Sequence, residues 1–321
     1  MVIDGHNDLV LQRWRGESGK HIDLETAADA GFAGGFFALY VPSPYNGDPT
    51  ETPYAMPYAD EIPFEEAARI TEELFDTLCS LPVRRALGVD DFRPGEVTAI
   101  VHMEGAEAIA PDLANLGDWY ERGLRSIGLV WSRPNAFASG VPFEFPASPD
   151  TGPGLTAAGR GLVRACNELG VMVDVSHLNE RGFWDVVKES DRPVVATHSN
   201  AHALCASTRN LTDAQLDAIG ASGGMVGVNF AVTFLREDGM NDFEATGLDE
   251  IVRHVDYLAE RMGIDHVGFG SDFDGAVVPA ALGSVSGLPR LVDALGERYT
   301  ADEVDLITHR NWLRVLDATW R

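Results

Sequence analysis

Short apolar runs alternate along the chain with longer segments whose apolar residues recur at helical spacing, the pattern of βα units laid on a parallel sheet. Eight such runs can be counted, at 2–9, 35–41, 97–104, 124–131, 171–177, 193–198, 224–230 and 266–272. Eight is the number that closes a barrel. Between them, Ala67, Ile70, Leu74 and Leu78 share one helical face, as do Leu155, Leu162, Cys166 and Leu169, and later Leu248, Ile251, Val255 and Met262. These predict an outer ring of helices. Thr300 followed by Glu303 predicts a capping box that opens a last helix running through Ile307 and Leu313. The pattern therefore predicts a single (β/α)8 TIM-like barrel domain over 1–321. Two stretches rich in Pro and Gly, 42–62 and 132–153, interrupt the rhythm after the second and fourth strands. Loops of that length at the C-terminal ends of barrel strands predict walls or lids over a pocket.

The ionisable residues gather at those same strand ends. His6 and Asp8 are two apart on the first run and so share a face; Glu104, His177, His198 and Asp272 close the third, fifth, sixth and eighth. A histidine and an aspartate two apart on a strand are more often a hydrogen-bonded structural pair than a metal site. The agreement of five strand ends changes that reading, because side chains at the C-terminal ends of parallel barrel strands converge on one mouth. Imidazole with carboxylate oxygen is the donor set of catalytic zinc. Gly268 and Gly270 alternate with Asp272 on the last strand and predict open space beneath such a centre. His102 is read as a barrel-interior residue or a support for Glu104. Asp174 and Asp274 are read as loop or surface hydrogen-bonders, and no catalytic role is given to His21, His202, His254, His266 or His309.

Composition narrows the class. With 45% hydrophobic residues the chain can bury a large core, and no apolar run approaches the roughly 20 residues that span a bilayer. Fifty acidic residues against 24 basic ones give a net charge of −26, which repels nucleic acid and anionic membranes. Only two lysines occur, Lys20 and Lys188; a high-salt cytoplasm and an arginine-biased genome both account for that balance. The three cysteines form no close pair, and the functional-looking motif at 2–8 leaves no room for a signal peptide, so the expected location is cytoplasmic.

The segments DGHNDLV, EGAEAI, DVSHLN, THSNAHALCASTRN and VGFGSDFDG together resemble the renal or membrane dipeptidases, metallopeptidases of the amidohydrolase superfamily. The resemblance runs from Val2 to the NWLRVL segment near the C-terminus. It implies two zinc ions: His6 and Asp8 on the first, His177 and His198 on the second, Glu104 bridging. It further implies that Asp272 is the proton-transfer carboxylate, that Arg209 grips the C-terminal carboxylate of a dipeptide, and that a D-residue is tolerated there. Two zinc ions roughly 3.5 Å apart can share a water and lower its pKa toward about 7, delivering hydroxide to a polarised carbonyl. A planar guanidinium fits a carboxylate bidentately. One departure stands out: where mammalian members carry a histidine that helps bind the substrate carbonyl, this chain has Trp131. Indole donates one hydrogen bond and cannot titrate, so oxyanion stabilisation is left to the metals, to Trp131 or to Arg133. Residues alone leave open a related hydrolase of N-acyl amino acids or lactones, or a metal-binding barrel without catalysis. A homodimer is a further possibility.

Overall fold

The structure, a computed structural model, describes residues 1–43, 49 and 51–320. Each of the eight apolar runs overlaps a strand, two of which extend past their run by one to three residues: β1 (Val2–Asn7), β2 (Phe32–Tyr40), β3 (Thr98–Glu104), β4 (Leu124–Gly128), β5 (Met172–Asp174), β6 (Val195–Ser199), β7 (Met225–Val228) and β8 (Val267–Phe269). Each pairs in parallel with the next, and β8 returns to β1 with Phe269 beside Asp4, closing a (β/α)8 barrel. The strands are buried on both faces, which is why they read as continuous apolar runs rather than as alternating ones.

Helices follow the strands in turn: α1 (Leu9–Trp14), α2 (Phe64–Ser80), α3 (Leu116–Glu121), α4 (Ala157–Leu169), α5 (Glu180–Glu189), α6 (Asp213–Ala221), α7 (Leu248–Met262) and α8 (Leu288–Gly296). Their starts are written locally. Thr156 caps α4 by accepting from the Gly159 N–H, and Asn179 caps α5 by accepting from Gly182. Leu155, expected on the face of α4, lies just before that cap. The Thr300–Glu303 capping box opens Ala301–Asp305 as expected, but the chain then widens into a π-helical turn, Leu306–Arg310, before α9 (Asn311–Thr319). Such a turn adds a residue and re-aims the face that follows it.

That face delivers Trp312 to the floor of the barrel. Its fully buried indole tilts onto Phe36 at 4.9 Å and donates from Nε1 to the Phe269 carbonyl at 3.0 Å, amid Ile3, Ile100, Met172, Val195 and Met225. The open space expected beneath the site from Gly268 and Gly270 is therefore filled. A Cβ on Gly268 would lie 2.8 Å from the indole nitrogen, and one on Gly270 would run into the Thr197 carbonyl. These glycines make room for packing, not for a void. Trp312→Ala is expected to cost about 3–5 kcal/mol of stability, read from the midpoint of urea unfolding. A cost below about 1 kcal/mol would mean the indole is not a plug.

The described parts of the two long loops meet. Tyr54–Met56 pairs antiparallel with Phe143–Phe145, and this ribbon is fastened to the segment after β6 by Thr208 N–H donating to Glu144 O at 3.1 Å. Positions 44–48 and 50 of the first loop lie outside the described residues. Among the described residues no helix is long and apolar enough to cross a membrane.

Candidate active site

His6 and Asp8 leave the end of β1, Glu104 ends β3 and His198 lies within β6, all of them buried. His177 and Asp272 arrive differently. Their strands stop three residues earlier, at Asp174 and Phe269, and both residues adopt left-handed backbone, φ 65° and 59°. Such conformations are uncommon for residues with a side chain and collect where a side chain must be re-aimed.

The side chains converge in two sets that share Glu104. His6 Nε2 lies 3.3 Å from Asp8 Oδ2 and 3.5 Å from Glu104 Oε2. On the other side, Glu104 Oε1 is 3.1 Å from His177 Nε2 and 3.6 Å from His198 Nε2, and those two nitrogens are 3.1 Å apart. Asp272 reaches the first set, within 4.8 Å of His6 and Asp8, and accepts from the Asn229 amide at 2.9 Å.

The hydrogen-bond network settles what His198 offers. Thr197 spends its single hydroxyl proton on the Asp174 carboxylate at 2.6 Å. Its oxygen can then only accept from His198 Nδ1, 2.8 Å away, so Nε2 carries a bare lone pair toward Glu104. Ser132 Oγ lies 2.8 Å from His177 Nδ1 and holds that ring in place. Asp174, expected in a loop or on the surface, is a buried residue of β5 with this positioning task. His102 lies in the interior, between Ser126 at 3.0 Å and Asp174 at 3.7 Å.

The electrostatics of this arrangement follow from its burial and its crowded charges. Burial holds His177 and His198 well below the ordinary imidazole range, so both are neutral donors of electron pairs. Burial also pushes Glu104 up to about 8 and raises Asp272, with neighbouring carboxylates adding to both. Burial works against a charged His6, yet Glu104, Asp8 and Asp272 outweigh it and push that imidazole up to about 10. Crowded carboxylates and facing lone pairs demand a cation. Asp8 Oδ1 and His6 Nδ1 are in addition buried without a hydrogen-bond partner among the described residues. The residues present thus fit divalent metal by donor type, protonation state and spacing.

A cavity of about 320 Å³ opens above them. Trp131 lines it, its ring 5.2 Å from Tyr40, 5.4 Å from Phe143 and 5.7 Å from His177. Arg209 is brought beside the cavity rather than onto its wall: buried, it donates to the His198 carbonyl at 3.1 Å, and its guanidinium sits 5.6 Å over Phe234, which does line the cavity. Its Nε has no hydrogen-bond partner among the described residues. Arg133, considered above for oxyanion stabilisation, is withdrawn from that role. It is fully buried, bonded to Glu107 at 2.8 Å and to the Val41 carbonyl at 3.0 Å.

Several neighbours of the site were not legible in the chain. Asn229 follows β7, one of three strands for which no ionisable site residue was found, and a search for any polar residue at that end would have found it. Tyr40, Phe143 and Phe234 carry no pattern that separates a cavity wall from a core, and His21, set aside above, lines the cavity.

A (β/α)8 barrel with buried imidazoles and carboxylates gathered at its C-terminal mouth defines a metal-dependent hydrolase of the amidohydrolase kind. The chain belongs to the membrane dipeptidase family, peptidase family M19, whose pattern it matches over residues 1–320; it is a metallopeptidase, a hydrolase acting on peptide bonds. It is 52% identical over 238 residues to an uncharacterised protein of the pqqA 5′ region of Klebsiella pneumoniae, covering 74% of this chain and 88% of that one. It is also 30% identical over 344 residues to the dipeptidase verJ of Clonostachys rogersoniana, covering 99% and 84%. Among solved structures, a Rhodobacter sphaeroides metallopeptidase liganded with a phosphinate mimic of the dipeptide L-Ala-D-Ala superposes with TM-score 0.95 at 46% identity, covering 99% of each chain.

Proposed function

We propose that this chain, as a single barrel domain whose loops 42–62 and 132–153 wall the mouth, cleaves dipeptides at a centre of two zinc ions and accepts a D-residue at the C-terminal position. The observation that carries the reading is the division of Glu104: Oε2 faces His6 and Oε1 faces His177 and His198, which supports one carboxylate shared between two ions. His6 and Asp8 would complete one metal site and His177 and His198 the other, a nitrogen and oxygen set that suits zinc. The phosphinate mimic of L-Ala-D-Ala in the Rhodobacter sphaeroides protein supports the D-residue.

When bound, the two ions supply Lewis-acid polarisation of the scissile carbonyl and lower the pKa of a nearby water. Asp272 is held by Asn229 through Oδ2, which leaves Oδ1 to take the attacking water's proton and return it to the leaving amine. Arg209 would meet the free carboxylate of the substrate with its unpartnered Nε and so set the register of the amide bond. Trp131, its indole N–H without a hydrogen bond to the described residues, would pack against the peptide beside His177.

Metal analysis and a substrate panel test the reading together. Two equivalents of zinc per chain and turnover of L-Ala-D-Ala are expected. Fast deacylation of N-acetyl amino acids or opening of lactones without dipeptide turnover would overturn it. In the same panel Arg209→Ala is expected to raise KM for dipeptides about 10–100-fold with a smaller change in kcat, and to have little effect on the corresponding dipeptide amides. An unchanged KM would remove Arg209 from the site.

A further inference from the structure

We propose that the cavity wall built by the segment after β1 is a subsite for an anionic side chain on the substrate's N-terminal residue, so that dipeptides beginning with Glu or Asp are preferred. The inference rests on the dipeptidase reading above and adds a substrate class to it. Arg15, Lys20 and His21 all border the cavity. Arg15 and Lys20 are exposed, and neither has a carboxylate partner among the described residues. They bring positive charge to the cavity mouth in a chain of net charge −26 with only two lysines.

The third donor is set by geometry. His21 Nδ1 accepts the Asp274 N–H at 2.8 Å, so the ring proton sits on Nε2, which has no protein acceptor among the described residues. The segment that carries these groups is latched in place. Asp274 Oδ1 accepts from the backbone N–H of Lys20 at 2.5 Å and of His21 at 2.8 Å, while Gln12 Nε2 donates to the Asp274 carbonyl at 2.8 Å. Gly19, at φ 79°, makes the turn that this latch requires. Two backbone donors hold Asp274 Oδ1, while its Oδ2 is buried without a hydrogen-bond partner among the described residues; the other acids that line the cavity, Asp8, Glu104 and Asp272, belong to the candidate metal centre.

Topology assigns the subsite to the first residue of the dipeptide. Around the barrel the order runs β6, β7, β8, β1. Arg209 follows β6, Asp272 follows β8, and the segment with Arg15, Lys20 and His21 follows β1. A dipeptide with its carboxylate toward Arg209 and its cleaved amide near Asp272 therefore turns its N-terminal side chain toward the β1 wall. The opposite wall, Trp131, Phe143 and Phe234, offers an anion nothing comparable.

The test compares kcat/KM for L-Glu-D-Ala and its neutral isostere L-Gln-D-Ala on zinc-loaded protein, wild type and Arg15→Gln/Lys20→Gln. The wild type is expected to favour the Glu peptide about tenfold, with the preference shrinking in about 0.5 M NaCl. The double variant is expected to bring the ratio to within about twofold of unity. Because the ratio is taken within each protein, partial loss of folded enzyme cancels. No preference in the wild type, or a preference that survives both substitutions, overturns the subsite. If neither peptide nor L-Ala-D-Ala is hydrolysed, the dipeptidase reading fails and the peptides serve as stable ligands for calorimetry. Tighter binding of the Glu peptide by the wild type alone then upholds the subsite, and equal affinities overturn it.

Discussion

Asp272→Asn is expected to keep the metal content of the wild type and to lower kcat by roughly 10²–10⁴ while moving KM little. The substitution is isosteric, and the new amide can still present its oxygen to the Asn229 donor that now holds Oδ2. Its other atom then becomes an NH2 group, a donor where the reaction needs an acceptor for the water's proton. Metal analysis beside steady-state kinetics separates this from the competing role. Asp272 lies within 4.8 Å of His6 and Asp8 and could complete their set as a ligand; loss of an equivalent of metal in Asp272→Asn would assign it there instead.

Glu104→Gln is expected to be worse, with activity down by at least roughly 10⁴ and less than two equivalents of metal retained. The amide offers one neutral oxygen where the carboxylate divided two between the His6 side and the His177–His198 side. The same substitution should act in opposite directions on stability, depending on metal. In the metal-free protein burial already pushes the Glu104 carboxyl up to about 8, so a neutral residue relieves the crowding with Asp8 and Asp272. Chelated Glu104→Gln should therefore melt no lower than chelated wild type. With zinc supplied the order should reverse, because an ion bound only by the folded state stabilises it by mass action. Melting curves with EDTA and with zinc check both halves. A variant that melts below wild type by the same margin in each condition would show that Glu104 matters to packing rather than to metal.

Most of the barrel could be read because its causes are local or periodic. All eight strands overlap the apolar runs, and the helical faces of α2, α4 and α7 follow from spacing alone. What could not be read were contacts between residues far apart in the chain that share no pattern. The two glycines of β8 looked like space, and the residue that fills it, Trp312, arrives from more than forty positions away through a π-helical turn. Arg133 looked available for catalysis because its partner Glu107 sits on another loop and its burial is a property of the packed whole. His21 looked idle because Asp274, which fixes its tautomer, lies at the far end of the barrel's sequence.

By itself the chain determined the fold class and which residues would meet, since strand order and strand ends follow from hydrophobic period and a closed barrel sends those ends to one mouth. Tertiary structure decided the rest of the site's chemistry. It set the left-handed turns that aim His177 and Asp272, the Thr197–Asp174 pair that strips His198 Nε2 of its proton, the split of Glu104 and the withdrawal of Arg133. Protonation and orientation depend on which groups lie within a few ångströms and on how much water is excluded. Neither quantity exists until the chain has closed on itself.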